Sequence, residues 1–589
     1  RHGIQFTAIG ITIASAALAQ EPPASAGIQE VLVTAERRES NLQDTPIAIT
    51  AMDAATLVDR GITDLEGIIK ATPSMSFTPY PPTANTLTLY MRGSGVQDVG
   101  QITIDTAIGL YQDGFYISRG QMVTFDLADI ERVEVLRGPQ GTLYGRNTTG
   151  GAVNLISKKP SGELGFKQEL EFGSNGRFRS LSVLDLPQWH GLSAKLSFLK
   201  RQKDGYVKNR GPGNDFGEEE QAAGRVALRW EGGGPFTADY FYERGDLDST
   251  PLYYTSSALV GLIPGYSDRG RPEGHSYRAM DLPESPGEYE SHGLTLAWAV
   301  NDSLTLKSLT GYRDLSVAYN QDYAETFFVG FRSLDDIRSH QFSQELQAVG
   351  SALDGRIEYI AGLYYFEETG RHFQNTVITN ALPGSSPLLL NKDRFVSMKS
   401  ESQAAFAQLT WTPPVLDDRL GLTFGGRYTQ DKRSAQRQLL TTFFGFPSNR
   451  DESGRQTNRA VYVRDELGLT PTTRLSAGLR RERVEQVQKE TLTPIPKDKT
   501  RRALTASELA LQQQLGGGWS AYGRIGTSFR VANIDENRCF FPPCAPLLKP
   551  QTSRDREIGL QWRAGKAAFR ASLFDIALKN ELHYNAITF

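Results

Sequence analysis

The chain has 589 residues, 22% of them charged, and a net charge of −3, a length that allows two to four domains. Mean hydropathy is −0.39 and no uninterrupted apolar run reaches about 18 residues, which excludes an ordinary helical membrane protein. Balanced charge without a long basic block argues against nucleic acid as a partner, and 57 glycines with 10% aromatic residues point to a β-rich, turn-rich protein.

The first residue is Arg1, and residues Ile4 to Ala19 are largely apolar, ending in Ala17-Leu18-Ala19 before Gln20-Glu21-Pro22. An apolar stretch before a small-residue cleavage site reads as a secretory signal peptide lacking its first residues, over 1–19. A polar leader over 20–40 contains the short β-prone stretch Glu30-Val31-Leu32-Val33-Thr34-Ala35.

Residues 41–159 have a mixed α/β pattern. Ala54 to Val58 and Leu65 to Ile69 look like short helical turns before Thr72-Pro73. Apolar strand-like runs follow at Leu87–Met91, Ile108–Gln112 and Val133–Leu136. Each meets Gly at once, in Arg92-Gly93, Asp113-Gly114 and Arg137-Gly138. Strands broken by Gly belong to a compact domain with tight turns. The glycines Gly138, Gly141 and Gly145 lack the spacing of a phosphate-binding loop.

From residue 160 to 589 the period changes to two. Leu192, Ala194, Leu196 and Phe198 alternate with Ser193, Lys195 and Ser197, and similar runs recur near Phe236 and Leu420. Alternation alone fits a soluble sandwich or a membrane barrel; connection lengths separate them. About 17 strands are joined by short links, such as Pro187 to Gly191 and Val300 to Ser303, alternating with long ones. The long ones include Gly245 to Gly287, Ala318 to Ile337, Gly370 to Ser400 and Ala435 to Arg459. Tight turns at one rim and long loops at the other describe a transmembrane β-barrel. Single-chain bacterial barrels have an even strand number, so an odd count ending at Phe589 reads as a barrel cut at its C-terminus. Cys539 and Cys544, the two cysteines, are five apart and suggest a small local disulfide in an exported chain. No Ser-His-Asp, His-Glu-x-x-His or paired-carboxylate constellation stands out, so no enzyme and no metal site is expected.

The segment Asp129-Ile130-Glu131-Arg132-Val133-Glu134-Val135-Leu136-Arg137-Gly138-Pro139-Gln140-Gly141-Thr142-Leu143-Tyr144-Gly145, continuing through Arg146-Asn147-Thr148-Thr149-Gly150-Gly151-Ala152-Val153-Asn154, resembles the plug domain of TonB-dependent outer-membrane receptors. Tyr90-Met91-Arg92-Gly93, Gly109-Leu110-Tyr111-Gln112-Asp113-Gly114, Gly526 to Asn533 and Arg556 to Leu560 are similar to further segments of that family. The resemblance implies a 22-stranded all-β transmembrane barrel, with about 17 strands present here, and an N-terminal α/β plug domain inside its lumen. It also implies that Glu30–Ala35 is a TonB box, engaged by TonB with the ExbB–ExbD complex. A plug in a polar lumen is expected to be held by releasable polar contacts and not by a dry apolar core. Arg92 and Arg137 are expected to reach lumen-facing acids, Glu557 first, then Glu345 or Glu508. Ligand candidates are Tyr80, Gln97 and Gln101 on the plug and Tyr253, Tyr254, Phe327 and Phe328 on the loops, whose aromatics suit a flat ligand.

The function so implied is energy-coupled uptake of a scarce large solute across the outer membrane of a Gram-negative bacterium. A ferric siderophore is the first choice of cargo; haem, cobalamin, an oligosaccharide or an aromatic compound are alternatives. A passive porin or adhesin is the competing class, and the plug argues against it. The expected protein is a monomer among outer-membrane lipid and lipopolysaccharide. It has no cofactor of its own, because iron enters only as part of the cargo.

Overall fold

The computed structural model describes residues 32–33, 40–41, 49–79, 86–92, 94–95, 100–122, 129–137, 150–252, 275–276, 281–322, 329–380, 388–440, 448–491, 498–532, 547–564, 567–580 and 582. Two bodies emerge from them: a small mixed domain and a 17-stranded sheet that surrounds it.

The small domain begins with strand Ile49–Asp53, which runs directly into helix Ala54–Asp59. Asp53 ends the strand and caps the helix, its carboxylate accepting from the Thr56 amide at 2.8 Å. Asp64 does the same for helix Leu65–Ala71, accepting from the Gly67 amide at 2.8 Å. Each cap satisfies an amide that the first helical turn leaves without an intrahelical partner. Leu65, Ile68 and Ile69 lie on one side of the second helix and are fully buried against Met52, Val133, Val135 and Val153. The sheet behind them has the order Ile49–Asp53, Ile130–Arg137, Gly151–Ser157, Ile108–Gln112, Phe115–Ile117. Gly151–Ser157 is antiparallel to Ile130–Arg137 and parallel to Ile108–Gln112. A second small sheet contains Met75–Pro79, Leu87–Met91 and Ser94–Gly95.

The large sheet runs from Gly165–Phe172 to Ala567–Lys579, and each strand is antiparallel to its neighbours in sequence. Its burial is inverted relative to a soluble protein. On Leu192–Lys203, Leu196 and Phe198 are 41% and 55% exposed, whereas Ser193, Lys195 and Ser197 are buried. The same holds around the wall: Leu296, Leu363, Val461, Leu509 and Ile558 face out, and Arg313, Glu368, Arg433, Arg480 and Glu557 face in. Aromatic pairs border the apolar band near the short-turn rim, with Phe236 stacked on Trp298 and Trp519 beside Trp562. Tyr242, Tyr312, Phe342 and Tyr365 form a second row farther up. Apolar side chains outside, polar ones inside and aromatic belts at both edges are the signature of a barrel wall set in lipid.

The long loops read from the sequence are shorter than expected. Val329–Ala352, Ile357–Asn380 and Leu388–Trp411 are strands of 24 residues each. Much of what looked like loop between Ala318 and Ile337 and between Gly370 and Ser400 is therefore strand. A bilayer needs only about 9–11 residues per strand. The remainder stands above it with water on the outside, so Asp336, Arg338, Lys399 and Glu401 occupy outward positions and the apolar alternation disappears.

The lipid-facing assignment is testable by refolding into vesicles. Leu363→Arg, on the outer apolar band, should cost about 2–4 kcal/mol near the membrane midplane. Arg338→Ala, higher on the outer face, should stay within about 0.5 kcal/mol. Equal shifts in denaturation midpoint for the two variants would contradict the placement.

Candidate functional site

The interface between plug and wall holds a set of buried ion pairs. Arg92 follows strand Leu87–Met91 in a left-handed conformation, with φ 51°, and its amide donates to the Ser74 carbonyl at 2.7 Å. A non-glycine residue held there costs about 1–2 kcal/mol. That turn aims the side chain at the wall. Its Nη1 donates to Asp555 and its Nη2 to Glu557, and all three side chains are buried. Asp555 and Glu557 are two apart on strand Gln551–Ala564, so both face the lumen. Glu557 also accepts from the Tyr522 hydroxyl at 2.6 Å, and Arg92 lies over the Phe574 ring at 5.5 Å.

Arg137, at the end of strand Ile130–Arg137, is buried in the same electrostatic neighbourhood. Burial, and then the Arg92 guanidinium, push it below its ordinary value, while Glu557 opposes both. Of the remaining acids expected here, Glu508 pairs with Arg524 on the adjacent strand at 2.6 Å. Glu345 accepts from Gln347 at 2.8 Å and borders a cavity of about 60 Å³. The Arg92 fork therefore rests on Asp555 and Glu557, not on Glu345 or Glu508. Asp555 was not picked from the sequence, although the i, i+2 spacing with Glu557 could have shown it.

A third plug arginine, Arg119, was not picked from the sequence. Arg119 sends Nε and Nη2 to Glu368, the latter at 2.8 Å, and Nη1 to the Ile104 carbonyl at 3.0 Å. Glu368 is fully buried and also accepts from Ser118 and Ser339 hydroxyls at 3.1 and 2.9 Å. Arg119-Gly120 repeats the Arg-Gly pattern that singled out Arg92 and Arg137, so the signal was present. Elsewhere the wall supplies the cation: Arg225 to Asp113 at 2.6 Å, Lys195 to Asp129 at 2.8 Å, and Arg433 to Asp105.

The expectation of purely polar contacts needs correcting. Ile102 and Met122 of the plug are buried with lumen-facing Tyr289, Val317, Tyr319, Ile337, Val396 and Met398. This apolar seam exists because one side of the lumen wall carries β-branched, aromatic and Met residues at inward positions. Gln101, proposed as a ligand contact, accepts from Arg394 Nη2 at 3.1 Å. Tyr80, Gln97, Tyr253, Tyr254, Phe327, Phe328, Cys539 and Cys544 lie outside the described residues, as do Glu30, Val31, Thr34 and Ala35. Leu32–Val33 pairs with Ser40–Asn41.

Arg92→Ala would strand two buried carboxylates, a loss of about 3–5 kcal/mol for a broken buried pair. Limited proteolysis should find the plug cleaved faster where it meets Asp555 and Glu557. Arg137→Ala should cost less, because it also removes a like charge from beside Arg92. A larger effect at Arg137 would contradict this ranking.

Residues 41–152 match the TonB-dependent Receptor Plug Domain family, and residues 224–451 and 437–588 match the TonB dependent receptor-like beta-barrel family. The pesticin receptor of Yersinia pestis is 27% identical over 423 residues, which is 69% of this chain and 56% of that protein. The catecholate siderophore receptor Fiu of Escherichia coli K12 is 26% identical over 309 residues, 49% of this chain and 36% of that protein. The chain thus spans little more than half the length of the first relatives it matches. Among solved structures, the siderophore receptor PiuA of Acinetobacter baumannii superposes with a TM-score of 0.68 at 13% identity, covering 95% of this chain and 82% of that one. The ferric yersiniabactin uptake receptor FyuA of Yersinia pestis gives 0.57 at 18% identity, covering 91% and 90%. With a plug seated in a barrel and both parts matched, the chain belongs to the TonB-dependent receptor family.

Proposed function

We propose that this protein takes up a ferric siderophore across the outer membrane of a Gram-negative bacterium, in a TonB-dependent, energy-coupled step. One observation carries the reading: the lumen is filled by a plug fixed through Arg92 to Asp555 and Glu557. A passive pore has no use for a stopper held by buried charge. A coupled transporter needs one that stays shut at rest and yields when pulled. Similarity to pesticin, catecholate siderophore and ferric yersiniabactin receptors favours a chelated metal as the cargo class.

The pull enters at Glu30–Ala35. An extended segment there can add a strand to TonB, gaining affinity from backbone hydrogen bonds. The outer membrane supplies no ATP, so the work comes through TonB from ExbB–ExbD in the inner membrane. Iron passes with its chelator and stays with no residue of the protein. Gln101, Tyr80, Gln97 and the loop aromatics Tyr253, Tyr254, Phe327 and Phe328 are the proposed cargo contacts, and Cys539 with Cys544 would brace a loop.

Growth of iron-starved cells on a panel of iron-loaded catecholate, hydroxamate and mixed chelators should select one class. Val33→Pro, which removes a backbone donor from the TonB segment, should abolish that growth while leaving chelate binding intact. Uptake that survives both Val33→Pro and collapse of the proton gradient would refute energy coupling. Growth support by none of the ferric chelators, with uptake of haem or an oligosaccharide, would replace the cargo.

A further inference from the structure

The contact between the plug hairpin and one wall has a shape that the charge pairs do not explain. Strands Ile108–Gln112 and Phe115–Ile117 are joined by Asp113-Gly114, with φ of 52° and 87°. This Asp-Gly turn matches the twist of a tight hairpin and projects Phe115 toward the wall. Opposite it the wall carries two facing glycines, Gly293 and Gly311, on neighbouring strands. A Cβ on either would come within 2.7 Å of the Phe115 ring. The pair thus forms a socket that no other residue type leaves open.

Register defines the rest of the socket. Phe241, Gly293, Gly311, Ser343 and Phe366 are successive partners across five strands. Phe115 sits over the two glycines with its ring edge-on to Phe241, centroids 5.8 Å apart at 70°. Tyr116 meets Phe366 at 5.8 Å and 64°. Beside the rings, Asp113 accepts from Arg225 at 2.6 Å and from the Ser157 amide at 2.8 Å. Gln112 donates to Glu243 at 3.0 Å, and Glu243 also takes Arg225 at 2.6 Å. Shape and charge fix the same few residues.

We propose that Phe115 is a positioning residue that seats the plug on this wall, so that breaking the Arg92 contacts opens the lumen on the Asp555 side and leaves the Phe115 side closed. Gly311 lies on the seventh strand of the sheet and Asp555 on the sixteenth, so the two attachments hold well-separated parts of the wall. A plug fixed at one point and latched at another swings or peels from the latched side. The proposal rests on the transporter reading for its purpose only.

The test needs neither cargo nor energy. The full chain, with Cys539 and Cys544 replaced by Ser, carries one reporter: Ser291→Cys, buried two residues from Gly293, or Ser553→Cys, two residues from Asp555. Maleimide reaction is timed in outer-membrane vesicles. Gly311→Val should speed labelling at position 291 by about tenfold or more, as a local opening would. Adding Phe115→Ala to Gly311→Val should slow it again, because Val fills the emptied socket. Arg92→Ala should speed labelling at 553 and leave 291 slow. Unchanged labelling at 291 in Gly311→Val, no rescue in the double variant, or Arg92→Ala exposing both positions would each overturn the proposal. Should Gly311→Val fail to accumulate, Phe115→Ala alone must expose 291. Since uptake is not measured, failure here leaves the transport reading standing, and failed uptake leaves this one standing.

Discussion

Lipid outside the wall forces the chain to turn its hydrophobic pattern inside out. Once Leu196, Phe198 and Leu363 are committed to the hydrocarbon, their neighbours in the alternation must face the lumen, and those neighbours are Ser, Lys, Arg and Glu. A lumen lined this way would be a water-filled pore. Placing a folded domain in it dehydrates charges such as Glu368 and Glu557, which is tolerable only where each meets an opposite charge with good geometry. The plug's polar surface is thus dictated by the wall, and the wall's by the membrane.

This arrangement also suits release. A well-formed buried ion pair is close to break-even against solvation, whereas leaving one partner alone is costly. Arg92, Asp555 and Glu557 therefore form a contact that excludes misfit strongly yet contributes modest net adhesion. If both sides are rehydrated together, the charges recover their hydration. The apolar seam of Ile102 and Met122 behaves differently, since separating it exposes hydrocarbon to water without compensation. One interface holds two kinds of attachment with different responses to an entering column of water.

Much of this was legible in the residues. The period-two text gave the wall because each side chain's environment is set locally, by lipid or lumen, and the plug strands were marked by Gly at their ends. The strand extensions above the membrane were not legible: with water outside and plug inside, both faces of Val329–Ala352 are polar there, and polar alternation looks like loop. The partners of Arg92 were partly legible. Glu557 was found through its motif, and Asp555 shares its face two residues earlier on the same strand; that both meet Arg92 depends on segments more than 460 residues apart. The glycine socket lay beyond the sequence altogether, because Gly293 and Gly311 become neighbours only when two strands pair in one register.

The signs of the plug–wall pairs carry one more consequence. Taking the wall in sheet order, Lys195 and Arg225 on the third and fourth strands meet plug acids, and Glu368 on the ninth meets Arg119. Arg433 on the eleventh meets Asp105, and Asp555 and Glu557 on the sixteenth meet Arg92. The wall's sign therefore alternates around the lumen: positive, negative, positive, negative. Turning the plug by two strands would bring Arg119 toward Arg433, and like charges at short range in a dry site are strongly repulsive. An apolar plug in an apolar lumen would have many near-equivalent seatings. Alternating buried charge leaves one, and that single seating is what allows the Phe115 ring to find two glycines and Arg92 to find two carboxylates at once.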